Sequence, residues 1–253
     1  MKEGIKTIFA RIWAIWGILA FIGTMLLFMI PFLLFCYFLK EPQRTRRFIA
    51  FSRVWMAIYL FIIACPLRIR GKEHFKSGAQ YIVLCNHNSF MDIPVSSPSI
   101  PGGNKTIAKD ELAKIPLFGL IYKAGSILVN RKSDQSRKES YQKMKSVLEM
   151  GLHMCIYPEG TRNKQGGAPR AFHNGAFRLS METGRSIIPA VIFHTAKVLP
   201  SSKTMYLWPH RLEIHFLPPV DPGNGYTMES LKREVHHIMS DYYLAGGKAI
   251  GGI

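Results

Sequence analysis

Asn86-His87-Asn88-Ser89-Phe90-Met91-Asp92 follows directly on the apolar run Tyr81-Ile82-Val83-Leu84-Cys85. A short apolar run that stops on a polar turn reads as a buried strand. Its exit carries a histidine and, five positions later, a carboxylate. On one straight helix these two side chains would point about 140° apart, because each residue turns roughly 100°. They meet only if the chain reverses between them. Asn88 and Ser89 suit a strand-to-helix turn, since their side chains satisfy backbone groups locally. Two readings stand side by side. Ser89 and Asp92 fit the Ser-x-x-Asp helix-start pattern, with Asp92 as a cap; His87 and Asp92 also suit a catalytic pair.

The surrounding chain repeats the pattern of a short apolar run followed by an amphipathic segment, which is the signature of an α/β domain. Strands are expected at 80–85, 105–108, 126–130, 152–157, 186–193 and 212–216, and helices at 111–123, 134–150, 175–183 and 228–244. This domain occupies 68–253. Residues 1–67 differ: Ile12 to Leu39 is a stretch of 28 residues without a charge, longer than the ~20 needed to cross a bilayer. Val54 to Leu67 adds 14 more uncharged residues, too few for an upright span and better suited to a shallow or re-entrant segment. Residues 1–67 therefore read as N-terminal membrane-anchoring helices. No small-x-small cleavage site follows the first run, which argues for its retention.

The formal net charge is +17, with ten basic and two acidic residues in 1–71 and 23 basic against 14 acidic in the remainder. Such a balance suits an anionic partner. Lys40, Arg44, Arg46, Arg47 and Arg53 adjoin the apolar run, at the level of lipid headgroups, and no nucleic-acid-binding module is present. The reading is a membrane lipid bilayer and no nucleic acid, with the basic α/β domain on the cytoplasmic side. Cys36, Cys65, Cys85 and Cys155 lie inside apolar runs without C-x-x-C spacing, as expected of core or lipid-facing residues in a reducing compartment. The nine histidines show no metal-ligand spacing, so no metal is expected.

Two further strand ends carry chemistry. Met154-Cys155-Ile156 leads into Tyr157-Pro158-Glu159-Gly160-Thr161-Arg162, and Val129 leads into Asn130-Arg131-Lys132. Ligands of parallel α/β sheets collect outside the carboxyl ends of strands. A histidine base with guanidinium groups nearby suits a reaction on a phosphate-bearing alcohol.

Asn-His-x-x-x-x-Asp at 86–92 and Pro-Glu-Gly-Thr-Arg at 158–162 together resemble the 1-acylglycerol-3-phosphate (lysophosphatidic acid) acyltransferases, within the glycerolipid acyltransferase superfamily. Lys109-Asp110-Glu111-Leu112 with Pro116 and Gly119, the block from Gly125 to Arg131, Phe172-x-x-Gly175-Ala176 and Ile188-Pro189-Ala190 follow the family's order. The resemblance covers roughly residues 68–220. Two positions depart from it: Asn130 stands where the family usually has aspartate, and His173 where a lysine is common.

The resemblance implies an α/β fold with a mixed sheet flanked by helices, preceded by the apolar anchoring segment as a leaflet-embedded helix pair or a single span. It implies an O-acyltransferase that moves a fatty acyl group from an acyl thioester to the 2-hydroxyl of 1-acylglycerol 3-phosphate, giving phosphatidate. His87 would be the general base and Asp92 its partner. Arg131, Glu159, Gly160, Thr161 and Arg162 would bind the glycerol phosphate, and Lys109 or the Gly160 amide would steady the oxyanion. No Gly-x-Ser-x-Gly elbow supplies a serine nucleophile, so direct attack is expected. No cofactor is expected; acyl-CoA or acyl carrier protein thioester is the co-substrate. Open alternatives are another lyso-lipid acceptor, such as a lyso-amino-acid lipid, and a non-catalytic membrane adaptor.

Overall fold

The computed structural model describes residues 2–130 and 133–247. Two long helices come first, α1 (Lys2–Phe35) and α2 (Gln43–Ile62). Seven strands follow: β1 (Leu67–Arg70), β2 (Ile82–Cys85), β3 (Asn104–Lys109), β4 (Ser126–Val129), β5 (His153–Ile156), β6 (Ile187–Phe193) and β7 (Leu212–Phe216). Between and after them lie α3 (Asp92–Ser99), α4 (Phe118–Gly125), α5 (Asp134–Glu149), α6 (Gly175–Thr183), α7 (Thr195–Val198) and α8 (Met228–Leu244).

The strands form one sheet in the order β1-β7-β6-β2-β5-β3-β4. All neighbours are parallel except β6 and β7, so the sheet is mixed. The central strands β2, β5 and β6 are buried at every position, as strands covered on both faces must be. On one face Val83, Cys85, Cys155, Ile188 and Ile192 pack under the α1–α4 side. On the other, Leu84, Met154, Ile156 and Val191 pack with residues of α5, α6 and α8. Fully burying one such side chain contributes about 1.5–3 kcal/mol. Strand β1 was not expected from sequence. Its Leu-Arg-Ile-Arg alternation is short and sits at the sheet edge, where only Leu67 and Ile69 turn toward the core.

The second apolar run is used by the protein itself. Helix α2 buries Phe48, Ile49, Trp55, Met56, Tyr59 and Leu60 in the core on that face, rather than presenting them all to lipid. Arg53, which sequence placed among headgroup-facing cations, turns inward. Its Nε donates to the Pro98 carbonyl at 2.8 Å and its Nη2 to that of Ile100 at 2.8 Å, filling the exit of α3. Lys105 Nζ reaches Glu41 at 3.0 Å and the Ala124 carbonyl at 2.9 Å, tying the α1–α2 connection to β3. Burial pushes the Glu41 carboxyl up, but bonds from Thr45 and Arg44 and the charge of Lys105 outweigh it and hold it at about 2. Helix α1 packs on α2 through Trp13 Nε1 to the Ile63 carbonyl, 3.1 Å, and Trp55 Nε1 to Thr24 Oγ1, 3.0 Å. Its outer side leaves Ile5, Ile8, Ile12, Ile15, Leu19 and Ile22 exposed.

Candidate active site

Strands β2, β5, β3 and β4 lie side by side and parallel, so their carboxyl ends share one edge. The loops expected to carry chemistry leave from that edge into a crevice of about 1270 Å³. Asn86 closes strand β2. Its side chain acts as an extra rung, with Nδ2 donating to the Ile192 carbonyl (3.0 Å) and Oδ1 accepting from the Ile192 amide (2.7 Å). This fixes the exit direction of the chain, and the next residue is His87.

The turn then folds back as its sequence requires. Ser89 Oγ accepts from the Met91 amide at 3.0 Å, and α3 begins at Asp92. The Asp92 carboxylate is fully buried. Its Oδ2 accepts from the Asn88 and Ser89 amides, both at 2.7 Å, and lies 2.8 Å from His87 Nδ1. The cap and the His/Asp pair are therefore one arrangement, with the carboxylate reaching back over the turn. An oxygen already accepting two amide protons needs a donor from the ring, so Nδ1 carries the hydrogen and Nε2 holds the free lone pair. His87 lines the crevice, and Nε2 is its basic atom.

Tyr157 holds the ring from the side. It stacks on His87 with centroids 4.2 Å apart and planes 25° apart. Its hydroxyl bonds Ser96 Oγ at 2.7 Å, on the same helix as Asp92. Burial lifts the Tyr157 phenol well above its ordinary value, so it stays neutral. Cys85, two residues before His87, offers no nucleophile. Its sulfur lies 3.9 Å from that of Cys155, both are fully buried, and this contact together with burial pushes the Cys85 thiol up.

The second loop is locked to the first. Glu159 was expected to bind substrate, yet it is only 5% exposed. Its Oε1 accepts from the His87 amide at 2.8 Å and its Oε2 from the Arg170 amide at 3.0 Å. It organises the loops, while burial pushes its carboxyl up against the pull of those two amides. The Asn163 amide donates to the His87 carbonyl at 2.6 Å. Gly160 has φ +69° and lies under His173, so an added Cβ would come within 2.8 Å of His173 Cδ2. That position needs glycine for both backbone and space.

The crevice also carries cations. Lys109, Gly160, Thr161 and Arg162 line it with His87. The Arg162 guanidinium lies over the Phe90 ring, 3.5 Å from its centroid, and Nη1 reaches Ser201 Oγ at 3.5 Å. Such stacking orients a guanidinium while leaving donors free for an anion. Arg131 lies outside the described residues. Phe90, Tyr157, Ser96 and Asn163 belong to the site as well, without a motif in the sequence that assigns them to it. Three of them stand in or beside the two loops already singled out, whereas nothing in the sequence couples Ser96 to Tyr157. Among the described residues no group of three His, Cys, Asp or Glu side chains could hold a metal.

The Acyltransferase family model matches residues 66–193, half of the chain. A 1-acyl-sn-glycerol-3-phosphate acyltransferase from Cocos nucifera is 33% identical over 154 residues, covering 60% of this chain and 49% of the relative. The 1-acyl-sn-glycerol-3-phosphate acyltransferase alpha of Mus musculus is 30% identical over 184 residues, covering 71% of this chain and 64% of the relative. The matched stretch thus spans about half to two thirds of these relatives. The crystal structure of the 1-acyl-sn-glycerophosphate (LPA) acyltransferase PlsC from Thermotoga maritima has a TM-score of 0.76 at 22% identity, covering 96% of this chain and 99% of that one. It shares the fold.

Proposed function

Since this chain belongs to the Acyltransferase family, we propose that it transfers a fatty acyl group from an acyl thioester to the free 2-hydroxyl of 1-acylglycerol 3-phosphate, giving phosphatidate. The observation that carries the reading is the 2.8 Å His87–Asp92 pair at a crevice that Arg162 and Lys109 line together with His87. His87 Nε2 takes the hydroxyl proton as the substrate oxygen attacks the thioester carbonyl, and Asp92 stabilises the imidazolium that forms. The tetrahedral intermediate collapses, the C–S bond breaks, and the thiolate takes the proton back from His87. One ester and one thiol leave. Arg162 holds the acceptor phosphate, and Lys109 faces the oxyanion; the Gly160 amide, expected from sequence as an alternative donor, is already given to the Tyr157 carbonyl at 3.0 Å.

The acyl carrier is coenzyme A or acyl carrier protein, and no other cofactor enters the chemistry. Helix α1 is the one described helix long and apolar enough to cross a membrane. Because it packs along α2, which is itself part of the core, we place it in one leaflet with its exposed isoleucines in lipid and the catalytic domain on the cytoplasmic side. The test is thiol release by purified protein with lysophosphatidate and a lyso-amino-acid lipid, each offered with acyl-CoA and with acyl carrier protein thioester. Turnover of lysophosphatidate supports the reading. Turnover of the lyso-amino-acid lipid alone replaces the acceptor, and thioester consumption with neither acceptor refutes the proposal.

A further inference from the structure

A second cavity, about 810 Å³ in volume, lies between the N-terminal helices and the α3–α4 side of the domain. Its size falls in the range of small-molecule sites, roughly 300–1,000 Å³. Phe21 of α1, Trp55 and Met56 of α2, Ile121 of α4 and Leu207 of the loop after α7 form its apolar wall. Neither His87 nor Asp92 reaches it. Gly17 lets Leu207 pack against α1, since a Cβ there would come within 2.9 Å of Leu207 Cδ1 and push that wall residue toward the cavity.

Two features connect this cavity to its surroundings. Toward the sheet it merges with the catalytic crevice, because Phe90, Ile93, Leu112, Tyr122 and Arg162 line both. Toward the outside it reaches Ile18 of α1, which is exposed beside Ile15, Leu19 and Ile22. One end therefore meets the reaction site at a guanidinium, and the other meets the apolar face of α1. Resting on the function proposed above, we infer that this cavity holds the acyl chain already present on the acceptor lysophospholipid. The phosphate stops at Arg162 on the junction, and the free hydroxyl passes Phe90 to reach His87. The thioester donor fits the other route. Its carrier is large and hydrophilic, so it approaches the exposed rim of the crevice at Lys109, Lys164 and Arg170, where cations suit its phosphates. The acceptor is a bilayer lipid whose chain need only slide from the α1 face into an apolar slot.

The experiment uses Ile18→Trp and Gly17→Leu, which narrow the slot. Ile18 is exposed, so the first variant needs no repacking of the core, and melting curves in detergent verify both. For each protein KM is measured at fixed detergent with 1-hexadecanoyl and 1-hexanoyl glycerol 3-phosphate, and kcat/KM with a series of acyl-CoA chain lengths. The hexadecanoyl-to-hexanoyl KM ratio is expected to rise about tenfold over wild type in each folded variant, the size of effect that small steric changes in apolar pockets produce. An unaltered ratio, or a shift in donor chain-length preference in its place, overturns the assignment while leaving the proposed reaction standing. Wild-type protein that turns over neither acceptor overturns the proposed reaction and this assignment with it.

Discussion

Behind the His87 stretch of the crevice wall two buried carboxylates, Asp92 and Glu159, accept from four backbone amides and one imidazole. Along the cationic stretch of the same wall Lys109 and Thr161 are exposed, and Arg162 rests on a phenylalanine that is itself 57% exposed. The first stretch of wall is over-determined and the second is loosely held. The division follows from what each must do. A general base works only from a fixed position within hydrogen-bond reach of the proton it removes. A phosphate clamp can close around its ligand, because long cationic side chains carry their own reach.

Damage to the rigid stretch should be the more costly. Replacing His87 by alanine removes the base and should lower kcat by about 10²–10⁴ with the fold retained, as read by steady-state kinetics and a melting curve. Asp92→Asn keeps an oxygen for the two amides but loses the charge that stabilises the imidazolium. Its kcat should fall nearly as far. If melting temperature dropped while kcat survived, Asp92 would be a cap alone and the contrast between the stretches would collapse.

On the loose stretch the expected loss is smaller and falls on binding. Arg162→Ala should raise KM for lysophosphatidate far more than KM for the thioester. A lost charge-assisted bond costs about 1.5–3 kcal/mol, or tenfold to over a hundredfold in kcat/KM. Equal defects toward both substrates would mean that Arg162 organises the loop, and the two stretches would then differ less than proposed.

A third probe lies at the start of β5, at the far end of the sheet. His153 Nδ1 accepts from the Tyr81 amide at 3.0 Å, and burial lowers its pKa from 6.5 to about 4. The unfolded chain binds this proton first as pH falls, so the stability that neutral His153 supports is complete above pH 6.5 and is lost progressively toward pH 4. The loss should reach up to about 3 kcal/mol, measured by urea denaturation at several pH values. His153→Asn, which retains an acceptor, should flatten that slope without moving the pH profile of kcat.

The smallest effect separates position from chemistry within the rigid stretch. Tyr157→Phe keeps the stack on His87 and loses the bond to Ser96, worth about 0.5–1.5 kcal/mol. Turnover should fall roughly two- to tenfold. Ser96→Ala should do the same, and the double variant should be no worse than either, as expected of two partners in one bond.

The two stretches were also unequally legible in the sequence. His87 and Asp92 could be paired because a strand exit, a turn and a helix start follow one another within seven residues. The amphipathic α6 and α8 were bounded correctly, since their apolar spacing is regular and polar turns flank them. The direction of a side chain was harder to read. Glu159 turns into the loops because two amides stand there unpaired, and Arg53 turns inward because α3 ends beside it. Both facts depend on segments distant in the chain. The same holds for Tyr157 and Ser96, 61 residues apart. Strand β1 escaped notice because four alternating residues at a sheet edge carry too little apolar pattern to distinguish them from a basic linker.

Direct attack by the acceptor, with His87 as base and no acyl-enzyme, is tested most simply by rapid mixing of the purified protein with acyl-CoA and a thiol reagent. Without lysophosphatidate no thiol should appear. With it, thiol and phosphatidate should form one for one from the first turnover. A burst of thiol equal to the enzyme concentration in the absence of acceptor would reveal an acylated residue and contradict the mechanism.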